Sequence, residues 1–218
     1  MNKHDVLVFA IEDTNTYYAN SLRRTIISDV PTLAIDTVNV LSNTSILTDE
    51  ILAHRLGLVV INSDILLKEG DNDVAADMNT EPEIITFSLN VRCDQKEMYV
   101  TAGMIKTNNP EVHPVHDDTI VVKLYRGDEI ILGGTIEKGI GRTHAKWMSV
   151  SVIGYNIKYL DKQKMKIYLT IEPVGSLSAK TILSKARTIV NNLKTQNGNP
   201  ENKTQKGGLN KFKKGYLV

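Results

Sequence analysis

Three stretches of the 218-residue chain hold side chains of the kinds that bind ions or phosphates, and each lacks part of the pattern that chemistry needs. Asp71, Asp73 and Asp77 stand at even spacing, as in a cation loop. The calcium-binding pattern also requires glycine at its sixth position and glutamate at its twelfth, where this chain has Ala76 and Pro82. His113-Pro114-Val115-His116, followed by Asp117 and Asp118, offers two imidazoles and a carboxylate, a conceivable zinc set. Pro110 and Pro114 disfavour the helix that would aim both rings together, so an exposed loop is expected. Lys138-Gly139-Ile140-Gly141-Arg142-Thr143-His144-Ala145-Lys146-Trp147 has glycines that expose backbone N–H groups and three cations, the raw material of a phosphate cradle. It lacks the order of both the P-loop and the dinucleotide-binding motif, which leaves a surface turn or a polar contact with another polypeptide. No carboxylate cluster of the sort that holds paired metal ions for phosphoryl transfer is evident. No catalytic residue, metal or cofactor is expected.

A different set of cations sits on helices. At about 100° per residue, Tyr18, Ala19, Leu22, Ile26 and Val30 share an arc of about 120° on a helix that begins near Thr16. Arg23 lies at the edge of that arc, and Asn20 and Arg24 come just beyond Ile27. On a second, shorter helix Arg55 falls between Ile51 and Leu52, next to His54. Arginines that emerge from apolar surface suit protein interfaces, because the planar guanidinium satisfies carbonyls and carboxylates while partly desolvated.

The elements that position these residues are well punctuated. Asp5 to Ile11 reads as a strand, Glu12 to Thr16 as a turn and helix cap, and Pro31 as the stop of helix one. Leu33 to Leu41 reads as a strand whose alternation slips by one near Thr37, which predicts a bulge. Thr48 is placed to cap the second helix, Asp49 and Glu50 oppose its dipole, and Gly57 marks its end. Leu58 to Ile61 reads as a buried strand, and Lys68 to Glu83 as a loop. Alternation at Ile85 to Val91, at Ile120, Val122 and Leu124, at Val150 and Val152, at Tyr155 to Tyr159, and at Met165 to Ile171 predicts a β-rich remainder. Ser178 precedes a last helix whose Ile182, Leu183, Ala186, Ile189, Val190 and Leu193 again span about 120°. Residues 196–218 form a lysine-rich tail without an apolar period, expected to be flexible.

Apolar residues make up 41% of the chain, enough for a sizeable core, and no run of about 18 of them exists that could span a membrane. The opening Met1 to Asp5 leads into an alternating strand and not into a signal-peptide core, so a soluble intracellular protein is expected. Cys93 is the single cysteine and has no partner for an internal disulfide. Net charge is +1, with six lysines against Glu201 in residues 194–218 and a body that is mildly acidic. That balance argues against a folded nucleic-acid-binding surface. The rival reading, a nucleic-acid-binding module, would act through Lys203, Lys206, Lys211, Lys213 and Lys214, with only Phe212 and Tyr216 to stack on bases.

Ala19-Asn20-Ser21-Leu22-Arg23-Arg24, Asp29 to Asp36, Asn43, Ser45 and Leu47, and Asp49 to Leu58 together resemble the alpha-like subunits of cellular DNA-directed RNA polymerases. That family holds the third-largest subunit of eukaryotic RNA polymerase II, its archaeal counterpart and the N-terminal domain of bacterial alpha. Lys138 to Trp147, and Ile171 to Leu177 with the helix that follows, resemble two further family segments in the same order. The resemblance implies an α+β fold: a discontinuous dimerisation domain, residues 1–35 and 155–195, in which two long helices lie on a sheet, with a β-rich domain, residues 36–154, inserted. It implies a non-catalytic assembly role. The chain would pair with a small alpha-like subunit through Leu22, Ile26, Ile182, Ala186, Ile189, Val190 and Leu193. It would dock the second-largest subunit through Asn20, Arg23, Arg24, His54, Arg55, Arg142, His144 and Lys146. A small zinc-binding subunit would brace the joint, and DNA or RNA would be met only through the assembled complex. Several family members carry cysteine ligands for zinc or an iron-sulfur cluster in the inserted domain, and with Cys93 alone this chain departs from them. The compartment implied is the nucleus for a eukaryotic polymerase, or the cytoplasm or virion for a viral one.

Overall fold

Asn15 starts the first helix as expected: its side-chain oxygen accepts the Tyr18 N–H at 2.9 Å, which satisfies one of the donors left open at a helix start. The computed structural model describes residues 5–12, 15–67, 84–161 and 164–196, so Asp71, Asp73, Asp77 and the tail lysines lie outside the described residues. In chain order the elements are β1 (Leu7–Glu12), α1 (Thr16–Ser28), β2 (Pro31–Asn43), α2 (Asp49–Gly57), β3 (Ile85–Arg92), β4 (Glu97–Thr101), β5 (Lys106–Thr107), β6 (Ile120–Tyr125), β7 (Glu129–Ile140), β8 (Val150–Asp161), β9 (Lys164–Pro173) and α3 (Ala179–Gln196). The arrangement is α+β. Residues 1–31 with 140–218 form one compact unit, and 32–139 form the second.

In the first, discontinuous unit β1, β9 and β8 make an antiparallel sheet in that order, with Phe9 opposite Leu169 and Leu169 opposite Tyr155. α1 and α3 pack on each other and on this sheet. The core is Leu7, Phe9 and Ile11 of β1, Leu169 and Ile171 of β9, and the apolar arcs of both helices. Each such side chain contributes roughly 1.5–3 kcal/mol on burial. Ser178 begins α3, its hydroxyl oxygen accepting from the Thr181 N–H at 3.3 Å and its carbonyl from the Ile182 N–H at 3.0 Å.

The second unit holds a four-stranded sheet in the order β2-β7-β3-β5 and a two-stranded ribbon of β4 and β6. Its core gathers Leu33, Ile35, Leu52, Leu56, Phe87, Leu89, Val122, Leu124 and Ile130 among others. Burial along β2 runs through Thr32, Leu33, Ala34 and Ile35 without alternating, and then Asp36 and Thr37 are both exposed. The phase slip therefore falls where the residue pattern placed it.

Four expectations are corrected. Leu58 to Ile61 is not a strand: Leu58 is half exposed, and only Ile61 forms a bridge, to Pro114. Val150 and Val152 do not share a face, because the β8–β9 register shifts between them, leaving Val150 buried and Val152 exposed. Ile120 does not join Val122 and Leu124 inside, because the β4–β6 register shifts between Val100 and Thr101, burying Val121 and turning Ile120 outward. Thr48 stands at the start of α2 with no side-chain hydrogen bond to it. The compact units divide at 31/32 and 139/140, where 35/36 and 154/155 were expected, and residues 140–154 pack with the helical unit, where Arg142 bonds to the end of α1 and β8 pairs with β9. Among the described residues no helix is long and apolar enough to cross a membrane.

Candidate functional site

The residues expected to select a large partner fall in both units, six in the helical one and two in the other. On α1, Asn20 and Arg23 are one turn apart, and the Asn20 side-chain oxygen accepts from Arg23 Nε at 3.3 Å and from Nη2 at 3.0 Å. The guanidinium is thus held in one orientation with its remaining donors unspent, which lowers the entropy lost when a second group binds it. Arg24, next along the helix, is exposed.

Gly141 and Arg142 close on the end of α1. The Arg142 N–H donates to the Ser28 carbonyl at 2.9 Å, and its Nη2 meets the Asp29 carboxylate at 2.7 Å. α1 has no basic residue in its last turn, so Arg142 supplies the cation that the negative end of the helix dipole favours. Gly141 is required by the approach: a Cβ there would stand 2.4 Å from the Ile27 carbonyl oxygen. His144 then begins a turn of 3₁₀-helix, its Nδ1 accepting from the Lys146 N–H at 3.1 Å. Lys146 Nζ lies 4.3 Å from the centre of the Trp147 ring, whose indole is buried. The block is therefore an ordered brace on α1 that still displays Arg142, its side chain 70% exposed, and His144.

This brace yields a prediction. Gly141→Ala must push the α1 terminus away and should cost on the order of 1–3 kcal/mol, whereas Arg142→Ala removes a solvent-screened pair and should cost under about 1 kcal/mol. Urea unfolding of both variants checks this, and matching midpoints would mean that the glycine contact is not needed.

In the other unit α2 carries His54 and Arg55, both exposed, and Arg55 Nη2 donates to the Ile120 carbonyl at 3.0 Å. The loop before it is organised by Asn43. Its amide nitrogen donates to the Leu47 carbonyl at 2.9 Å and to Asp49 at 2.7 Å, and its oxygen accepts from the Ser45 N–H at 3.1 Å and hydroxyl at 2.7 Å. Asn43, Ser45 and Leu47, singled out in the sequence only by resemblance, thus share one network.

The seven residues expected to face a small partner divide by burial. Leu22, Ile26, Ile182 and Ala186 are fully buried and Val190 nearly so, all inside the chain's own core, because the two apolar arcs face each other and the sheet. Of the seven, Ile189 is partly exposed and Leu193 is 46% exposed, both on the same arc toward the C-terminal end of α3. Burial also pushes the Tyr18 phenol on α1 above its usual range, opposed by the charge of Arg187 on α3. His113 and His116 are both exposed, and among the described residues no three His, Cys, Asp or Glu side chains group as metal ligands.

A two-helix layer on a three-stranded sheet, with a β-rich unit between its two sequence halves, defines a discontinuous α+β protein. Residues 35–154 match the RNA polymerase Rpb3/RpoA insert domain. The chain is 33% identical over 172 residues to the DNA-directed RNA polymerase subunit Rpo3 of Methanosphaera stadtmanae, covering 78% of this chain and 62% of that relative. It is 35% identical over 167 residues to the DNA-directed RNA polymerase II subunit rpb3 of Dictyostelium discoideum, covering 72% of this chain and 55% of the relative. It is 37% identical over 176 residues to the human DNA-directed RNA polymerases I and III subunit RPAC1, covering 69% and 51%. The chain belongs to the Rpb3/RpoA family of alpha-like DNA-directed RNA polymerase subunits. It spans between about half and three-fifths of the length of these relatives.

Proposed function

We propose that the chain is a non-catalytic assembly platform of a DNA-directed RNA polymerase. Membership of the alpha-like family carries this reading. The helical unit pairs with a small alpha-like subunit through the C-terminal end of the α3 apolar arc, at Ile189 and Leu193. Asn20, Arg23, Arg24, Arg142, His144 and Lys146, with His54 and Arg55 of the second unit, select the second-largest subunit. A small zinc-binding subunit braces that joint, and nucleic acid is met through the assembled enzyme in whichever compartment that polymerase works. Binding free energy is the chain's whole contribution: apolar area gives stability, and charged groups at the rim decide which partner is accepted.

Two variants test the two surfaces separately. Ile189→Asp combined with Leu193→Asp should abolish co-purification of the small partner while circular dichroism shows the fold intact, since a carboxylate buried in an interface without a partner is costly. Arg24→Ala should leave that pair together and weaken capture of the large subunit. Truncating one side of a desolvated charged contact costs about 2–5 kcal/mol, roughly thirty-fold or more in affinity. Capture equal to wild type at concentrations near the dissociation constant would remove Arg24 from the interface.

A further inference from the structure

The three-stranded sheet of the helical unit has two unlike faces. One carries Phe9, Leu169 and Ile171 into the core with α1 and α3. The other is open, with Lys158 and Asn156 exposed and Tyr168, Thr170 and Ala10 partly so. On that open face the register sets Lys158 directly opposite Lys166, and in the next row Asn156 opposite Tyr168. Like charges directly opposed across two strands destabilise a sheet, so folding gives no reason for the lysine pair. Glu12, across β1 from Lys166, meets its ammonium at 2.7 Å and offsets one of the two cations. Lys158 has no ion pair among the described residues and rests on the Tyr168 ring, 5.5 Å from its centre, with Lys166 at the same distance. Beside the ring the face is low. Ala10 flanks Tyr168 on β1, and the next row is Gly154 and Thr170, so close that a Cβ on the glycine would stand 3.3 Å from the Thr170 Cβ. The lysine and tyrosines of β4 and β6 differ, since Lys123, near Tyr99 and Tyr125, is the one ammonium there and Glu97 takes it at 2.6 Å.

We infer that the open face of β8 and β9 binds a single-stranded nucleic acid, with Lys158 and Lys166 on a phosphate, Tyr168 stacked on the adjoining base and Asn156 at that base's edge. Clustered cations hold phosphate, and an aromatic ring holds a base of any identity through its π face. The two rows stand about 6.8 Å apart, two residues along a strand, which one nucleotide can span. The small residues beside Tyr168 leave a shelf on which a planar base can lie. A duplex does not fit, because its bases are stacked inside and out of reach of Tyr168. An acidic peptide would use the lysines and leave the ring and Asn156 idle. The net charge of +1 averages over this local excess. The contact is this chain's own, whichever subunits accompany it, and so goes beyond the proposed function. It is also separate from the lysines of residues 196–218.

The test uses the full chain with oligouridine carrying 4-thiouridine as the probe, in binding titrations at several salt concentrations and in photo-crosslinking. Crosslinks should fall on residues 156–168. Lys158→Ala should weaken binding and lower the slope of log affinity against log salt by about 0.7. Tyr168→Leu should weaken it at least about fivefold, while Tyr168→Phe binds as wild type. Glu12→Gln should tighten binding, because it frees Lys166, an outcome that a merely structural role for these residues would not give. Melting curves of all four variants should stay near wild type. Crosslinks confined to residues 196–218, with Lys158→Ala and Tyr168→Leu binding as wild type, overturn the inference and assign the strand to the tail. Duplex DNA bound as tightly as oligouridine, or polyglutamate competing as well as oligouridine of equal charge, overturns it too. So does the absence of binding at low salt.

Discussion

Ile26→Asp is expected to unfold the helical unit at neutral pH, and not to act as an interface variant. Ile26 is fully buried with Leu22, Leu169, Ile171 and Ile182 around it in the same cluster. Truncating a buried isoleucine costs about 2–5 kcal/mol through lost transfer energy and cavity, and an unpaired carboxylate adds a desolvation penalty of several more. The sum rivals the roughly 5–15 kcal/mol that holds a domain folded. The penalty has a pH signature. Burial raises the folded-state pKa of the new carboxyl above its unfolded value near 3.9, so the variant is relatively most stable below that value and loses stability as pH rises through the folded pKa. Ile26→Ala should be destabilised without this dependence. Hydrogen exchange on α1 and α3 at two pH values checks the prediction, and protected helices in Ile26→Asp at neutral pH would show that the site is not the closed core described. Ile189→Asp with Leu193→Asp is the contrast, since these side chains lie at the rim.

Amphipathic periodicity identified most of the inward faces of α1 and α3, yet could not say whether the covering surface belonged to this chain or to a partner. A 120° apolar arc looks the same in both cases. Only the sheet between the two ends of the sequence decides it: β1 pairs with β9 across some 160 intervening residues, and both helices land on the same side. Alternation located most of the strands. It failed at Ile120 and Val152 because a single-residue register shift moves every later side chain to the other face, and nothing in the local residue types marks where the shift falls. Leu58 to Ile61 misled for a related reason, as a short apolar run lining a core needs no strand partner if its backbone groups find bridges elsewhere.

The polar site was half legible. Arg23, Arg24, His54 and Arg55 were visible as cations bordering apolar positions, and the structure keeps them at the surface. What holds them was not visible. The Asn20–Arg23 contact is local and follows from helical spacing, but Arg142 reaching Asp29 joins residues 113 apart. The exposure of Ile46, Leu58 and Ile120 was not legible, because an apolar residue reads as core until the fold leaves it outside.

The second large effect is expected at Gly134. A Cβ on this residue would stand 1.8 Å from the Thr37 carbonyl oxygen, 2.8 Å from its carbon and 2.9 Å from the Phe87 ring. Two of those three atoms are backbone, so no side-chain rotation relieves the clash. β7 lies between β2 and β3, and Gly134 faces Phe87 in the β3 register. Thr37 is the residue at which the burial phase of β2 slips, so its carbonyl is carried over the place where any larger residue would put a side chain. Gly134→Ala must therefore separate β2 from β7, which strips Leu33 and Ile35 of part of their cover. Overpacking costs about 1–3 kcal/mol when side chains can yield, and a backbone obstacle puts this variant at or beyond the upper end. At roughly 4–8 °C per kcal/mol for a domain near 100 residues, the β-rich unit should melt on the order of 10–20 °C lower. A variant that melts with wild type would mean that β2 can shift past Thr37 without loss, and that the glycine is dispensable to the sheet.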